Sequence, residues 1–203
     1  KLREALSFTF DSKIGFSLLD DGKELYSAMH DVDRVISSGL KALDKLIEGG
    51  FHEKSLSLIL AQANLGKSLI MCSLAVAALL QNKNILYISL EMSEEKISER
   101  MLANLFDVPM DMLKMMVEDK FLDKLKQIQQ TIRSRLMIVA YPPKSVSANK
   151  IRAILKDLEI KKRYKPDMVY IDYLGLMIPN SSKKNDNSYG EQKTISEEVR
   201  GVA

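Results

Sequence analysis

The stretch that decides the fold is Ala61-Gln62-Ala63-Asn64-Leu65-Gly66-Lys67-Ser68. It follows the apolar run 55–60, which predicts a short buried strand, and it leads into an apolar run from Lys67 to about Leu80, which predicts a helix. A Gly-Lys-Ser turn between a strand and a helix is typical of a phosphate-binding loop, whose backbone N–H groups face the phosphates. In such a loop Lys67 neutralises the β- and γ-phosphates and the Ser68 hydroxyl binds Mg²⁺.

The loop departs from the usual pattern at one position, because Ala61 stands where the first glycine is expected. Alanine fits there if its φ is negative, whereas the close approach of backbone to phosphate is needed at Gly66. A bare Gly-Lys-Ser can also arise by chance, and the predicted strand and helix on either side argue against that reading. The candidate nucleotide-binding residues of the loop are Ala63, Asn64, Leu65, Gly66, Lys67 and Ser68.

Composition excludes several classes of protein. The 203 residues fit one α/β domain, or one domain with a tail, and 30 basic against 27 acidic side chains are too balanced for binding nucleic acid over the whole surface. Cys72 alone cannot form an internal disulfide, and with His30 and His52 it cannot build a Cys/His zinc site. The longest uncharged apolar run, 69–80, is too short to span a bilayer, and residues 1–5 lack the layout of a signal peptide. We therefore expect no membrane association and a reducing, cytoplasmic setting.

Beyond the loop, apolar runs alternate with amphipathic stretches, which predicts strands connected by helices and hence a parallel sheet buried on both faces. The strands are predicted at 85–90, 136–140 and 168–171. The helices are predicted at 40–47, 94–106 with Ser93 as the N-cap, 111–117, 120–134, 148–163 and 195–202. The polar run 181–193 is predicted to be a loop.

Two carboxylates follow predicted strands. Asp172 ends the strand 168–171 and can hold Mg²⁺ beside a phosphate loop, although an aspartate at a strand end also commonly caps a turn. Glu91 follows Ser68 by 23 residues, which permits a single crossover and brings Glu91 to the carboxyl edge of the sheet. A carboxylate there can deprotonate the water that attacks a γ-phosphate. The alternative for Glu91 is an acid stabilised by the N-terminus of the next helix.

These residues resemble a known family. Residues 39–44 and 49–51 look like the segment before the phosphate loop in RecA-type ATPases. Within that group, the loop itself, Ser89-Leu90-Glu91-Met92 and Ile171-Asp172-Tyr173-Leu174 resemble DnaB-family hexameric replicative helicases. Members from T-even-type bacteriophages are the most similar, through residues 3–7, 10–12, 86–89 and 199–200. The family tolerates alanine at the first loop position, and the resemblance is weakest between Asp107 and Arg135.

The resemblance implies a RecA-like P-loop NTPase fold, α/β with a mostly parallel central sheet flanked by helices. Residues 1–35 would be a linker with a short helix near 2–7, and residues 36–203 an ATPase core that ends before the last strands. The implied cofactors are ATP and Mg²⁺. Glu91 would be the catalytic glutamate and Arg100 a basic residue near the nucleotide, although a solvated helix arginine is an equal alternative. Two residues depart from the pattern: Lys54, where many RecA-type chains have glycine, and Gly175, where glutamine is common.

The resemblance also implies partners: single-stranded DNA, copies of the same chain in a hexameric ring, and a primase and helicase loader. Members of the family extend beyond Ala203, where a γ-phosphate sensor and an arginine finger lie, and an arginine finger contributes about 10³–10⁵ in rate. We therefore expect this 203-residue chain alone to bind nucleotide weakly and to hydrolyse it slowly. The helix near 2–7 would pack on a neighbouring subunit, or else within its own chain.

Candidate DNA contacts are less distinctive. Lys183 and Lys184, with Tyr189, stand in the polar run after the Asp172 strand and could bind phosphates and stack a base, or they could form a solvated charge pair. The basic cluster 161–165 is better explained as a helix end that complements the helix dipole.

Two other functions remain open from the sequence. The chain could belong to another RecA-type motor or switch, a recombinase or a clock-type ATPase. It could also be an assembly module that responds to nucleotide without turnover.

Overall fold

The computed structural model describes four stretches of the chain, residues 17–30, 35–62, 65–181 and 188–203. The chain divides into two compact units, residues 1–34 and residues 35–203. In the first unit the described residues contain the helix α1 (Gly22–Met29). The predicted helix near residues 2–7 lies outside the described residues. No helix in the described stretches is long and apolar enough to cross a membrane.

The second unit alternates strands and helices. Its strands are β1 (Val35–Ile36), β2 (Phe51–His52), β3 (Ile85–Ser89), β4 (Leu136–Ala140) and β5 (Met168–Asp172). Its helices are α2 (Lys41–Leu46), α3 (Lys67–Leu80), α4 (Glu94–Phe106), α5 (Met110–Lys114), α6 (Glu118–Thr131), α7 (Ala148–Lys162) and α8 (Ser188–Arg200), with a 3₁₀ turn at Leu174–Leu176. The helix predicted at 94–106 and the strand predicted at 136–140 are confirmed residue for residue.

The central sheet has the order β4-β3-β5, and both pairings are parallel. The strands are in register, so that Ile85 lies between Leu136 and Met168, and Ser89 lies between Ala140 and Asp172. Successive residues of β3 face opposite sides, as the period of two requires. Layers of helices cover both sides, and every residue of β3 is buried. The expected α/β architecture with a parallel sheet is confirmed.

Each face of the sheet packs against its own helices. On one face, alternate residues of β3 and β5 contact the buried side of α3, in a cluster that includes Tyr87, Tyr170 and Leu74. On the other face, the intervening residues contact α7 and α8, in a cluster that includes Ile88 and Ile151. Asp172 lies two residues after Tyr170 in β5, so both side chains are on the same face of the sheet. This face carries α3, the helix that follows the predicted phosphate loop.

The strand predicted at 55–60 is wrong. The segment has no strand assignment, and Leu60 in it is 92% exposed. Apolar composition is not sufficient for a strand, because the backbone also needs a neighbouring strand to bond with. Within the described residues the outer edge of β5 has no such partner, since the sheet ends there.

The start predicted for the last helix is also wrong. α8 begins at Ser188, so that residues 189–193 are helical rather than part of a polar loop. Ile195 and Val199, one helical turn apart, are buried against the sheet side that carries α7 and fix the direction of the helix. In the first turn of α8, the Glu191 carboxylate forms an ion pair with the Lys144 ammonium, with 3.8 Å between Oε1 and Nζ. Polar residues here form the exposed side of a helix, which a composition-based reading cannot distinguish from a loop.

The antiparallel pair of β1 and β2 is not anticipated from the sequence. Val35 pairs with His52 and Ile36 pairs with Phe51. The chain reaches β2 through Gly49 and Gly50, whose φ angles of 107° and 149° are rare for other residues. A Cβ on Gly50 would lie 2.3 Å from the carbonyl oxygen of Ile36, so the two segments approach too closely for any side chain at this position.

Candidate functional site

The carboxyl edge of the central sheet carries the two carboxylates that the sequence singles out. Ser89 is the last residue of β3 and lies opposite Asp172, the last residue of β5. The backbone N–H of Leu90 donates to the carbonyl oxygen of Asp172 at 2.7 Å, so the parallel pairing continues one residue beyond β3. Glu91 follows directly. Both predicted carboxylates therefore stand where β3 and β5 end.

The predicted phosphate loop is described at residues 61–62 and from Leu65 onward, and Ala63 and Asn64 lie outside the described residues. Gly66 occupies the position before α3 with φ of 82°, a left-handed conformation that glycine adopts without steric cost. Its carbonyl accepts the first helical hydrogen bond, from the N–H of Ile70 at 3.0 Å. The first backbone N–H groups of α3 thus remain available for an anion.

Lys67 connects the loop to the end of β5. Its Nζ lies 4.1 Å from the centre of the Tyr173 ring, and Tyr173 is the residue after Asp172. A lysine over an aromatic face is stabilised by about 0.5–1 kcal/mol at sites of this kind. Ser68 follows on the first turn of α3 and is partly buried. The loop lysine and Asp172 are therefore brought to the same place although they are about 100 residues apart in the sequence.

Asp172 is completely buried and only half satisfied. The hydroxyl of Tyr87 donates to its Oδ2 at 3.0 Å. Its Oδ1 is buried and has no hydrogen-bond partner in the described part of the chain. An unpaired buried oxygen costs about 1–3 kcal/mol, and more for a charged group, so this oxygen is suited to a partner that the described residues do not supply. A strand-end aspartate that merely caps a turn would have its partner in the backbone.

The donor set fits Mg²⁺. Within the described stretches no group of three or more His, Cys, Asp or Glu side chains gathers to hold a metal. Mg²⁺ does not require such a group, because it keeps several waters and is typically held by one or two carboxylates together with substrate phosphates. Asp172 with its free Oδ1, and the Ser68 hydroxyl at the start of α3, are donors of that kind.

A buried polar cluster lies behind Asp172, and the sequence analysis missed it. Tyr87 is fully buried and stacks on Tyr170 with ring centres 6.0 Å apart, and burial raises its pKa. Burial raises the pKa of the Cys72 thiol to about 11, and the charge of Arg100 opposes this rise. Tyrosine is common in β-strands, so the sequence pattern gives no sign that Tyr87 contacts Asp172.

Glu91 is held by a short turn rather than by contacts of its own side chain. The Ser89 hydroxyl donates to the carbonyl of Met92 at 2.6 Å and accepts from its N–H at 3.0 Å, which fixes the turn between β3 and α4. The Glu91 side chain is exposed. Ser93 occupies the predicted N-cap of α4, but its side chain makes no capping bond. Its interaction with the Glu95 carboxylate lowers the pKa of Glu95.

Arg100 is on α4, partly buried, and its charge acts on Cys72 of α3. Lys183 and Lys184 lie outside the described residues, and Tyr189 is an exposed residue of α8.

The basic cluster 161–165 behaves as the end of a helix. α7 ends at Lys162, and Lys161 forms an ion pair of 2.7 Å with Asp157. Tyr164 is buried, and its hydroxyl contacts the carbonyls of Ile85 at 2.6 Å and Arg135 at 2.9 Å. A tyrosine buried in this way cannot stack on a base.

Comparisons with known proteins agree with one another. The family model of the DnaB-like helicase C terminal domain matches residues 35–203. The DnaB-like replicative helicase of Enterobacteria phage T4 is 34% identical over 210 residues, which covers 100% of this chain and 43% of that protein. The replicative DNA helicase DnaB of Rickettsia prowazekii is 27% identical and covers 99% of this chain and 43% of that protein. The chain thus spans less than half the length of these relatives.

Solved structures give the same fold. One is a DnaB-like replicative helicase described with its interactions with primase, with a TM-score of 0.69 and 22% identity over 99% of this chain and 48% of that one. Another is an ATPase domain, with a TM-score of 0.72 and 22% identity over 93% of this chain and 67% of that one. The expected RecA-like fold is confirmed. With the family model matching most of its length, the chain belongs to the family of DnaB-like helicase C-terminal domains.

Proposed function

We propose that this chain is the ATPase core of a ring-forming replicative DNA helicase, which couples ATP hydrolysis to movement along single-stranded DNA and to separation of the duplex. Membership of the DnaB-like family and 34% identity to a phage replicative helicase support this function. The helicase activity is proposed for a whole protein of the relatives' length, and the chain covers 43% of the length of each of these two relatives.

One observation carries the proposal. Lys67, at the start of α3, lies over the ring of Tyr173, the residue after Asp172, and Asp172 has a buried oxygen that no described residue pairs with. A cation, the N-terminus of a helix and a half-satisfied carboxylate at one sheet edge are the elements that a magnesium–triphosphate complex requires. The loop residues 63–66 would cradle the phosphates, with the Lys67 ammonium on the β- and γ-phosphates.

Each residue of the proposed site would have a distinct role. Asp172 and the Ser68 hydroxyl would hold Mg²⁺, which when bound neutralises charge on the phosphates. Glu91 would accept the proton of the attacking water: its carboxylate is exposed at the edge of the sheet and no salt bridge among the described residues competes for it. Arg100 would add positive charge behind the nucleotide. The buried position of Asp172 keeps the metal-binding oxygen fixed while the reacting phosphate changes.

The partners follow from the same proposal. We propose a hexameric ring of this chain, single-stranded DNA in contact with Lys183 and Lys184, and interactions with a primase and a helicase loader in the cytoplasm, that of a host cell if the protein is phage-encoded. A primase interaction is described for one relative of the same fold.

Replacing Lys67 by alanine tests the site. Charge-assisted hydrogen bonds to phosphate contribute about 1.5–3 kcal/mol, so the variant should bind Mg·ATP about 10–100-fold more weakly. The measurement is the affinity for a fluorescent ATP analogue in the presence of Mg²⁺. Lys156→Ala removes an exposed lysine from α7 and should bind as the wild type does. Equal affinity in Lys67→Ala and Lys156→Ala would contradict the proposed site.

A further inference from the structure

We propose that Tyr87 is a positioning residue for Asp172: its hydroxyl holds Oδ2 of the carboxylate so that Oδ1 is the oxygen offered to Mg²⁺ or its waters. The inference rests on the proposed function, in which Asp172 serves the metal. It goes beyond that function because it assigns a role to a buried residue of the strand next to Asp172.

The register of the sheet makes the contact possible. Tyr87 on β3 lies opposite Tyr170 of β5, and Ser89 lies opposite Asp172. Tyr87 and Asp172 are therefore diagonal neighbours on the face that carries α3. The tyrosine ring spans the gap, and its hydroxyl reaches Oδ2 at 3.0 Å. A shorter side chain at position 87 would not extend to the carboxylate.

The Tyr87 ring is immobilised. It is completely buried, stacks on Tyr170 at 6.0 Å, and packs in the same apolar cluster as Cys72 and Leu74 of α3. A close-packed ring of this kind has no space for another rotamer. The hydroxyl is therefore a fixed donor, and the carboxylate that accepts from it has one defined orientation.

The division of the two carboxylate oxygens is the informative feature. The terminal torsion of an aspartate is broad, so without a partner the carboxylate would rotate and both oxygens would be equivalent. With Tyr87 on Oδ2, only Oδ1 is buried without a partner in the described residues. Partners behind a metal ligand fix its orientation, and their loss typically lowers metal affinity about 10–100-fold.

The test is a magnesium titration of Tyr87→Phe, which keeps the ring and removes the hydroxyl. A fluorescent ADP analogue reports binding as Mg²⁺ is raised, and its affinity in EDTA is measured separately. We expect the Mg²⁺ concentration at half-saturation to rise about tenfold or more. The affinity in EDTA should stay within about twofold of wild type, because Tyr87 acts through the metal ligand; a purely structural role would move both.

Tyr170→Phe is the matched control. It removes a hydroxyl from the adjacent stacked ring, where the partner is the sulfur of Met168 at 3.1 Å rather than the carboxylate. Its half-saturation should equal that of the wild type. Placing 4-aminophenylalanine at position 87 keeps a donor on the ring and should restore the wild-type half-saturation. This variant also carries the test if Tyr87→Phe does not fold.

The outcomes separate the inference from the proposed function. If the wild type binds nucleotide in a magnesium-dependent manner, and Tyr87→Phe matches Tyr170→Phe, the inference is overturned and the proposed site stands. If 4-aminophenylalanine gives no rescue of a weakened Tyr87→Phe, the inference is overturned as well. If the wild type itself shows no dependence on magnesium, both are overturned.

Discussion

Replacing Glu91 by glutamine is expected to lower ATP hydrolysis about 10²–10⁴-fold while leaving ATP binding close to wild type. Glutamine has the same shape but cannot accept the proton of the attacking water. Because the Glu91 side chain is exposed and the turn around it is held by Ser89 and Met92, the exchange should not disturb the fold. The measurement is phosphate release at saturating Mg·ATP, with and without single-stranded DNA, beside the affinity for the nucleotide.

Glu95→Gln is the control for this exchange. Glu95 is an exposed acid in the first turn of α4. Its loss should leave the rate of hydrolysis unchanged. A wild-type rate in Glu91→Gln would contradict the catalytic role and favour the alternative of an assembly module without turnover. If Glu91→Gln lowers both the nucleotide affinity and the rate of ATP hydrolysis, Glu91 has a role in binding instead.

The second large effect concerns stability. Gly50→Ala should destabilise the fold by about 3 kcal/mol or more, because the new Cβ would lie 2.3 Å from the carbonyl oxygen of Ile36 at φ of 149°. Overlap with backbone cannot be relieved by rotating a side chain, so β1 and β2 would have to separate. Urea unfolding followed by circular dichroism measures the loss.

Gly49→Ala separates the two causes of that loss. Gly49 also has a positive φ, 107°, but a Cβ there would meet nothing closer than a Val35 methyl carbon at 3.8 Å. The free energy of unfolding of Gly49→Ala should fall only by the cost of backbone strain, about 1–3 kcal/mol. Equal losses for the two variants would show that the close approach of Gly50 to Ile36 is not what limits stability.

Elements with strong local signals were predictable. α3 and the strands β3, β4 and β5 are nearly continuous apolar runs with polar or proline breaks at their ends, and the structure has them close to the predicted bounds. The meeting of the ends of β3 and β5, next to Glu91 and at Asp172, was predictable too, because parallel strands have their carboxyl ends at one edge.

Features that depend on contacts between distant residues were not predictable. Whether residues 55–60 form a strand depends on a partner along β5, which composition does not reveal. The hydrogen bond from Tyr87 to Asp172 joins residues 85 positions apart and depends on the register of two strands. Tyr173 belongs to the motif 171–174, yet its contact with Lys67 is visible only in the three-dimensional structure.

The alignment of the three parallel strands restricts how related chains can differ in length. Deleting one residue within β5 would shift Asp172 by about 3.3 Å and turn it to the opposite face of the sheet, away from α3. Insertions and deletions among homologues should therefore fall between the strands, while the strands keep a constant length. Substitutions can accumulate in this sheet, but a change in residue count would separate the aspartate from the lysine.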